Sequence, residues 1–204
     1  MAETVTRADL LGYRVRAQQL DRERGALAST SVLDIGVQDT GPDGARWALL
    51  LRGVDATDLT ERNLVLAWTV RGAPHLYRRR DLPAVALAVA PYSDADAGKR
   101  IFDAAKPLKA AGIGNVEALD SVAAAMRSIV TAPMTKGEVS TRLTSVMDKP
   151  YLRFCRSCQA THLYEMPFRL AALRAGLELL PDTSPPVMAP IARFSPAKRP
   201  SPRG

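Results

Sequence analysis

Alternating apolar positions between residues 64 and 70 predict a β-strand in the first half of the chain. The alternating side chains are Leu64, Leu66, Trp68 and Val70. A turn segment with glycine and proline follows at 71–74, and a second extended segment begins at His75. Because two extended segments joined by a short turn pair with each other, the pattern predicts a β-hairpin over residues 64–78.

Helical spacing and capping signals predict three helices before this hairpin. Thr6 and Asp9 form a capping-box pattern at the start of the first helix. In the third predicted helix, Trp47 and Leu50 are expected to face inward. The predicted positions are from Thr6 to about residue 20, a short segment after Ser31, and 45–52.

The chain after the hairpin carries the same signals and predicts five further helices. Ser93 is the expected cap of one of them, and Thr135 with Glu138 forms a second capping box. Val139, Leu143 and Val146 are expected to face inward from the helix that follows. The predicted ranges are 82–89, 94–105, 116–130, 136–146 and 165–175, with an extended segment at 177–180.

The order of these elements predicts a mainly α protein with short β-hairpins, of the α+β class. Three helices followed by a hairpin is the order of a winged helix, and a similar order of helices and strand returns in the second half. We therefore expect tandem winged helix-turn-helix domains over residues 1–111 and 112–182. Residues 183–204 hold six prolines, four basic residues and no acid, which predicts a disordered tail.

The charge of the chain favours a polyanionic partner. The formal net charge is +7 and the isoelectric point is about 9.8, so duplex DNA is the expected partner. No apolar stretch reaches the length of a membrane span, and the charged N-terminal segment lacks the apolar core of a secretory signal. A cytoplasmic, nucleoid-associated protein without a membrane partner is expected.

The predicted hairpin concentrates positive charge, and we expect it to contact DNA phosphates. The alternative is a hairpin whose charged side chains are solvated and only keep the protein soluble. His75 by itself is more often a packed histidine than a base, so it is assigned no catalytic role. The candidate contacts in this ribbon are Arg71, His75, Arg78, Arg79 and Arg80.

The second half adds three candidate DNA contacts on its predicted helices. They are Lys136, Arg142 and Arg169. The alternative, that these side chains only cover the protein's own apolar surface, is nearly as well supported. Long basic side chains commonly do this with their stems while the charged head stays in water.

Two cysteines and a histidine raise the question of a metal site. Cys155 and Cys158 are separated by two residues and His162 follows, which are ligand types and a spacing that zinc accepts. Since the sequence shows no fourth ligand, we expect no metal and no other cofactor. Buried or half-buried thiols on a short helix are the favoured interpretation.

Four stretches carry a family resemblance: VLDIGVQDT, LVLAWTVRGAPHLYRRRDLPA, PMTKGEVSTRLT and LRFCRSCQATHLYEMPFRLAALRAGLEL. They resemble the actinobacterial winged helix DNA-binding domain-containing proteins, a family that includes the AlkZ-like glycosylases that unhook interstrand crosslinks. The resemblance runs from about Ala8 to Ile191 and implies a winged-helix fold and a DNA partner. Family members are usually longer, so a truncated or frame-shifted member is expected.

The resemblance also implies a catalytic motif, Gln-apolar-Gln or Gln-apolar-Asp, which places the water or the sugar in the glycosylases. The matching stretch here is residues 36–39, which has glycine at the first position and leaves Gln38 and Asp39 as catalytic candidates. Three interpretations stay open at this point: a DNA-binding protein that contacts mainly phosphates, an AlkZ-like DNA glycosylase acting on alkylated or crosslinked DNA, and a non-functional fragment.

Overall fold

The computed structural model describes residues 4–195 and confirms a mixed α and β protein. The helices in this range are α1 (Arg7–Ala17), α2 (Val32–Ile35), α3 (Gly44–Leu50), α4 (Leu82–Val89), α5 (Asp94–Arg100), α6 (Ala105–Ala110), α7 (Asn115–Ile129), α8 (Lys136–Val146) and α9 (Glu165–Arg174). The strands are β1 (Val37–Gln38), β2 (Leu64–Trp68), β3 (Pro74–Arg78), β4 (Met134–Thr135), β5 (Leu152–Cys155), β6 (Ala160–Leu163), β7 (Leu177–Leu179) and β8 (Val187–Pro190).

The chain divides into two compact units. Unit 1 takes in the residues up to 65 together with 75–80, and unit 2 takes in 66–74 together with the residues from 81 onward. Each unit has its own cluster of buried apolar side chains. No helix within residues 4–195 combines the length and the apolar character needed to cross a bilayer.

Unit 1 packs α2, α3 and strand β1 around a small core. Ala45 and Leu49 are the buried residues of α3, one turn apart on the same face. The prediction that Trp47 and Leu50 face inward is wrong, since Trp47 is 59% exposed and Leu50 is also exposed. Ala45 and Leu49 form the inward face instead. Because they are together smaller than Trp47 and Leu50, α3 lies close to Leu33 in the same core.

The predicted hairpin over residues 64–78 is confirmed, with β2 and β3 as its arms. Its tip lies in unit 2, where the Thr69 N–H donates to the carbonyl oxygen of Ala73. Its base lies in unit 1, where the Arg79 N–H donates to the carbonyl oxygen of Asn63.

Unit 2 is built on α7, which buries one complete apolar face. The buried side chains are Ala118, Leu119, Val122, Ala123 and Met126. The predicted capping boxes also form: in unit 1 the Thr6 hydroxyl accepts from the Asp9 N–H, and in unit 2 the Thr135 hydroxyl accepts from the Glu138 N–H. Val146 is 61% exposed, so its predicted inward position at the end of α8 is wrong.

A predicted helix and the predicted tail both differ from the structure of unit 2. The helix expected over 94–105 ends at Arg100, and a separate helix begins at Ala105. The disordered tail predicted from residue 183 is wrong for β8, which pairs antiparallel with both β7 and β4. Met188 of this strand is completely buried. The proline-rich composition therefore led to the tail prediction, although this segment contains a short apolar run that forms a strand of the sheet. The tail residues 196–204 lie outside the described residues.

Candidate catalytic site and nucleic-acid interface

Gln38 lies on strand β1 opposite His75 of strand β3, within unit 1. The two strands are antiparallel, and the register pairs Gln38 with His75 and Val37 with Leu76. Residues directly opposite each other in such a pair project from the same face of the sheet. Gln38 is exposed whereas His75 is only 6% exposed, so an exposed glutamine lies opposite a buried histidine.

Asp39 has a structural task at the start of α3. Its Oδ1 accepts a hydrogen bond from the backbone N–H of Ala45 over 3.0 Å. A carboxylate at this position satisfies one of the unpaired donors of the helix N-terminus and interacts favourably with the helix dipole. The structure therefore directs Asp39 toward α3, although it directly follows Gln38 in the chain.

Gly36 occupies a position that no larger residue can take without movement of its neighbour. Its φ is +83°, and a Cβ atom built there would lie 2.3 Å from the ring of Tyr77. Tyr77 is 1% exposed, so its ring has no open space into which to move. The absence of a side chain at the first position of the predicted catalytic motif therefore leaves room for the buried ring of Tyr77.

Arg78 is held inside unit 1 by its own protein. Its guanidinium donates to the carbonyl oxygens of Leu27 and Thr30 and to the Asp34 carboxylate, at 2.5, 2.7 and 2.6 Å. Only 5% of Arg78 is exposed. The role that the structure gives this side chain is to join three segments of unit 1, and its predicted DNA contact stays a prediction.

The two arginines that follow differ from Arg78 in exposure. Arg79 is half-buried and donates to the carbonyl oxygens of Glu61 and Leu64. Arg80 is exposed beside a concavity of unit 1 that Arg62 and Asn63 also line. Of the three consecutive arginines Arg78, Arg79 and Arg80, Arg80 is therefore the exposed one, and its DNA contact stays a prediction.

In unit 2, Arg71 lies exposed at the tip of the hairpin, in the left-handed backbone region with φ 56°. Behind it, Arg169 donates to the carbonyl oxygen of Gly72 over 3.1 Å and stacks on Trp68, with its guanidinium carbon 5.4 Å from the ring centre. Arg169 is therefore a support for the tip, which presents Arg71 outward.

Lys136 and Arg169 share one acid. The Glu165 carboxylate accepts from Lys136 Nζ at 2.6 Å and from Arg169 Nε at 2.5 Å. Burial raises the pKa of Glu165, but the hydrogen bonds and the positive charges of Lys136 and Arg169 together outweigh it and hold the pKa below its ordinary value. The third predicted contact of this half, Arg142, is exposed on α8.

The cysteine segment forms a second hairpin rather than a short helix, so that prediction is wrong. Strands β5 and β6 pair antiparallel, with Cys155 opposite Ala160 at the turn. Cys155 is half-buried and Cys158 is exposed. Their sulfur atoms and a ring nitrogen of His162 all lie within 4.8 Å of one another. The Ser157 hydroxyl, then the Cys158 backbone N–H and His162, lower the pKa of Cys155 to about 6.

Unit 2 also contains an apolar cleft of about 310 Å³ that the sequence did not indicate. Trp68, Leu119 and Leu173 are among its apolar lining residues, and Arg100 and Arg174 are its charged ones. This cleft could not be predicted from the sequence, because hydrophobic spacing along a helix does not show where neighbouring elements leave a gap.

Comparison with known proteins shows the family of this chain. Residues 14–203 match the family described as DNA glycosylase AlkZ-like. No curated protein sequence matches the chain. The structure is similar to that of Streptomyces sahachiroi DNA glycosylase AlkZ, with a TM-score of 0.58 and 18% sequence identity. The alignment covers 98% of this chain and 54% of that chain, so the two share a fold over about half the length of AlkZ. The chain belongs to the AlkZ-like DNA glycosylase family.

Proposed function

We propose that this chain is a DNA glycosylase of the AlkZ-like class, which removes bases from alkylated or crosslinked duplex DNA. The observation that carries the proposal is the position of Gln38, an exposed residue that is paired with the buried His75 and lies on the strand that matches the catalytic motif. The family match over residues 14–203 supports the same reaction class.

In this proposal Gln38 positions the attacking water. The bond from C1′ to the base nitrogen breaks and the base leaves with the electron pair, while water adds to C1′ and gives up a proton that the departing base takes. A side-chain amide both accepts and donates hydrogen bonds, so it can hold a water by its proton and the sugar by an oxygen. Stabilising an oxocarbenium-like sugar requires polar groups aimed at the reacting carbon.

Exposed arginines would hold the duplex by its phosphates. Arg80 of unit 1 and Arg71 and Arg142 of unit 2 are exposed, and the chain has a formal charge of +7. Such contacts give affinity that falls with salt and carry little sequence information. The proposal includes association with the nucleoid as a consequence of binding DNA.

The tandem winged-helix organisation, with domains at 1–111 and 112–182, is part of the same proposal. Helices α1, α2 and α3 precede the hairpin of β2 and β3, and helices α7 and α8 precede the hairpin of β5 and β6. A hairpin after helices is the arrangement that lets a wing lie along a phosphate backbone.

A base-release assay tests the proposal. Duplex DNA treated with a methylating agent is incubated with the protein, and abasic sites are detected as strand breaks after hot alkali. We expect breaks with the wild type and with Gln18→Ala, an exposed glutamine of the same unit, and few or none with Gln38→Ala. Breaks at equal levels with Gln38→Ala would contradict the role of Gln38.

A second candidate function is DNA binding without base release. It is favoured by Gly36, which provides no amide at the first motif position, and by Asp39, whose Oδ1 is bonded to the start of α3. A wild-type protein that binds methylated and unmethylated duplex equally and leaves no abasic sites would support this candidate over the glycosylase.

A further inference from the structure

The hairpin of β5 and β6 brings three metal-binding side chains to one place. Arg153 pairs with His162 across the two strands, and Cys155 lies two residues beyond Arg153 on the same strand. Because strand side chains alternate, Cys155 and His162 project from the same face as diagonal neighbours. Cys158 reaches this face from the turn, where Gln159 has a left-handed φ of 50°.

The donor atoms are arranged for one small ion. The two sulfur atoms and the His162 ring nitrogen lie within 4.8 Å of one another, and ligand atoms around a tetrahedral zinc ion are separated by about 3.3–3.8 Å, given bonds of about 2.0–2.3 Å. Cys158 is exposed and Cys155 is half-buried, so small rotations of these side chains can shorten the distances between the donor atoms to those around a zinc ion. Two thiolates with an imidazole form a donor set that favours zinc over magnesium or calcium.

The surroundings prepare His162 and Cys155 for this role. His162 Nδ1 lies 2.8 Å from the carbonyl oxygen of Leu163. Since a carbonyl only accepts, Nδ1 is the donor in this contact, which leaves Nε2 as the ring nitrogen that can face a metal; this is the outer contact that metal-bound histidines commonly make. Cys155 Sγ lies 3.1 Å from the Ser157 hydroxyl, a group that can donate a hydrogen bond to a metal-bound thiolate.

We propose that Cys155, Cys158 and His162 bind one Zn²⁺ ion, with a solvent molecule as the fourth ligand. Within the described residues these are the three side chains whose donor atoms meet in such a group. The ion fixes the turn of the hairpin, which carries Arg156 at its surface. Its binding is independent of the base-release reaction, which uses Gln38.

Metal content and a spectroscopic probe test the site. The full chain is purified under reducing conditions, incubated with Zn²⁺ and dialysed, and its zinc is measured by mass spectrometry. A parallel titration with Co²⁺ follows thiolate-to-cobalt charge-transfer absorption and the strong visible bands of tetrahedral cobalt. The variants are Cys158→Ser, Cys155→Ser and His162→Ala, and Thr161→Ala is the control, since Thr161 is an exposed residue of the same hairpin.

We expect about one equivalent of zinc per wild-type or Thr161→Ala chain, and a loss of affinity of at least about 100-fold in each ligand variant, since even outer-shell changes cost 10–100-fold. Zinc should also raise the melting temperature of the wild type and of Thr161→Ala, but not of Cys158→Ser. Cys158→Ser changes an exposed turn residue, and its circular dichroism shows whether it is folded.

Three results would overturn the proposal. The first is a folded wild type with two free thiols and no retained zinc or cobalt charge-transfer band. The second is a disulfide between Cys155 and Cys158 in the protein isolated under reducing conditions. The third is zinc retention in Cys158→Ser equal to that of the wild type.

Discussion

Arg78 provides a test of which arginines serve structure and which serve binding. Arg78→Ala removes the hydrogen bonds from the guanidinium to the carbonyl oxygens of Leu27 and Thr30 and to the Asp34 carboxylate. The carbonyl oxygen of the fully buried Thr30 then keeps the Leu33 backbone N–H as its donor. The Asp34 side chain is 64% exposed, so that ion pair contributes at most about 1 kcal/mol. Each bond from the guanidinium to a carbonyl contributes about 1.5–3 kcal/mol. Together these contributions predict a loss of about 3–7 kcal/mol in the free energy of unfolding.

Urea unfolding followed by circular dichroism measures this loss, with Arg80→Ala as the matched control. Arg80 is exposed and two residues away, so its substitution should change the free energy of unfolding by about 0.5 kcal/mol or less. Arg80→Ala should instead weaken DNA binding. The reasoning is refuted if Arg78→Ala is as stable as Arg80→Ala and loses DNA affinity instead.

Three further variants test other parts of the molecule. Gly36→Ala should lower the free energy of unfolding by at least about 2 kcal/mol in urea unfolding, because its Cβ meets a buried ring, whereas Gly41→Ala meets open space at a similar φ; equal losses would contradict this. Arg71→Ala should reduce the slope of log affinity against log salt by about 0.9 for each phosphate that the side chain neutralises in the wild type, and an unchanged slope in mobility-shift titrations would remove Arg71 from the interface. The pKa of Glu165 is lower in the folded protein, so its contribution to stability is present above the unfolded value of about 4.3 and is lost as pH falls through the folded value. The difference in the free energy of unfolding between wild type and Glu165→Gln should therefore shrink below about pH 4. A difference that does not change with pH would contradict the lowered pKa of Glu165.

Local signals in the sequence predicted much of the fold. The capping boxes at Thr6 and Thr135 and the Ser93 cap place helix starts where the structure has them. These motifs act between residues three apart, so they need no knowledge of distant neighbours. The hairpin of β2 and β3 was also visible, because its alternation and turn are local.

Features that depend on distant partners were not predictable. Strand β8 was assigned to a disordered tail because the segment from residue 183 is rich in proline and has only a short apolar run. Its position in the sheet depends on pairing with Leu179 and Met134, which are distant in sequence from one another. Arg78 resembles its neighbours Arg79 and Arg80 in sequence, yet only its hydrogen bonds to residues 44–51 positions away show that it is buried.

The residues of the candidate site were named from the sequence and stay predictions. Gln38 and Asp39 were identified from a motif, but the motif does not show that Asp39 bonds to α3 or that Gln38 lies opposite His75. The cysteine spacing was visible as well, although a missing fourth ligand argued against metal. The convergence of Cys155, Cys158 and His162 follows from strand register, which the sequence of this hairpin did not indicate.

Single-turnover base release tests the central claim most directly. A duplex with one methylated base is mixed with excess protein, and the rate of abasic-site formation is measured for wild type, Gln38→Ala and Gln18→Ala. We predict that Gln38→Ala slows release by about 10²–10⁴-fold, the usual contribution of a group that positions a proton transfer, while its DNA affinity and the rate of Gln18→Ala match the wild type. Equal rates for Gln38→Ala and wild type, or no release by the wild type while it binds the duplex, would contradict the account.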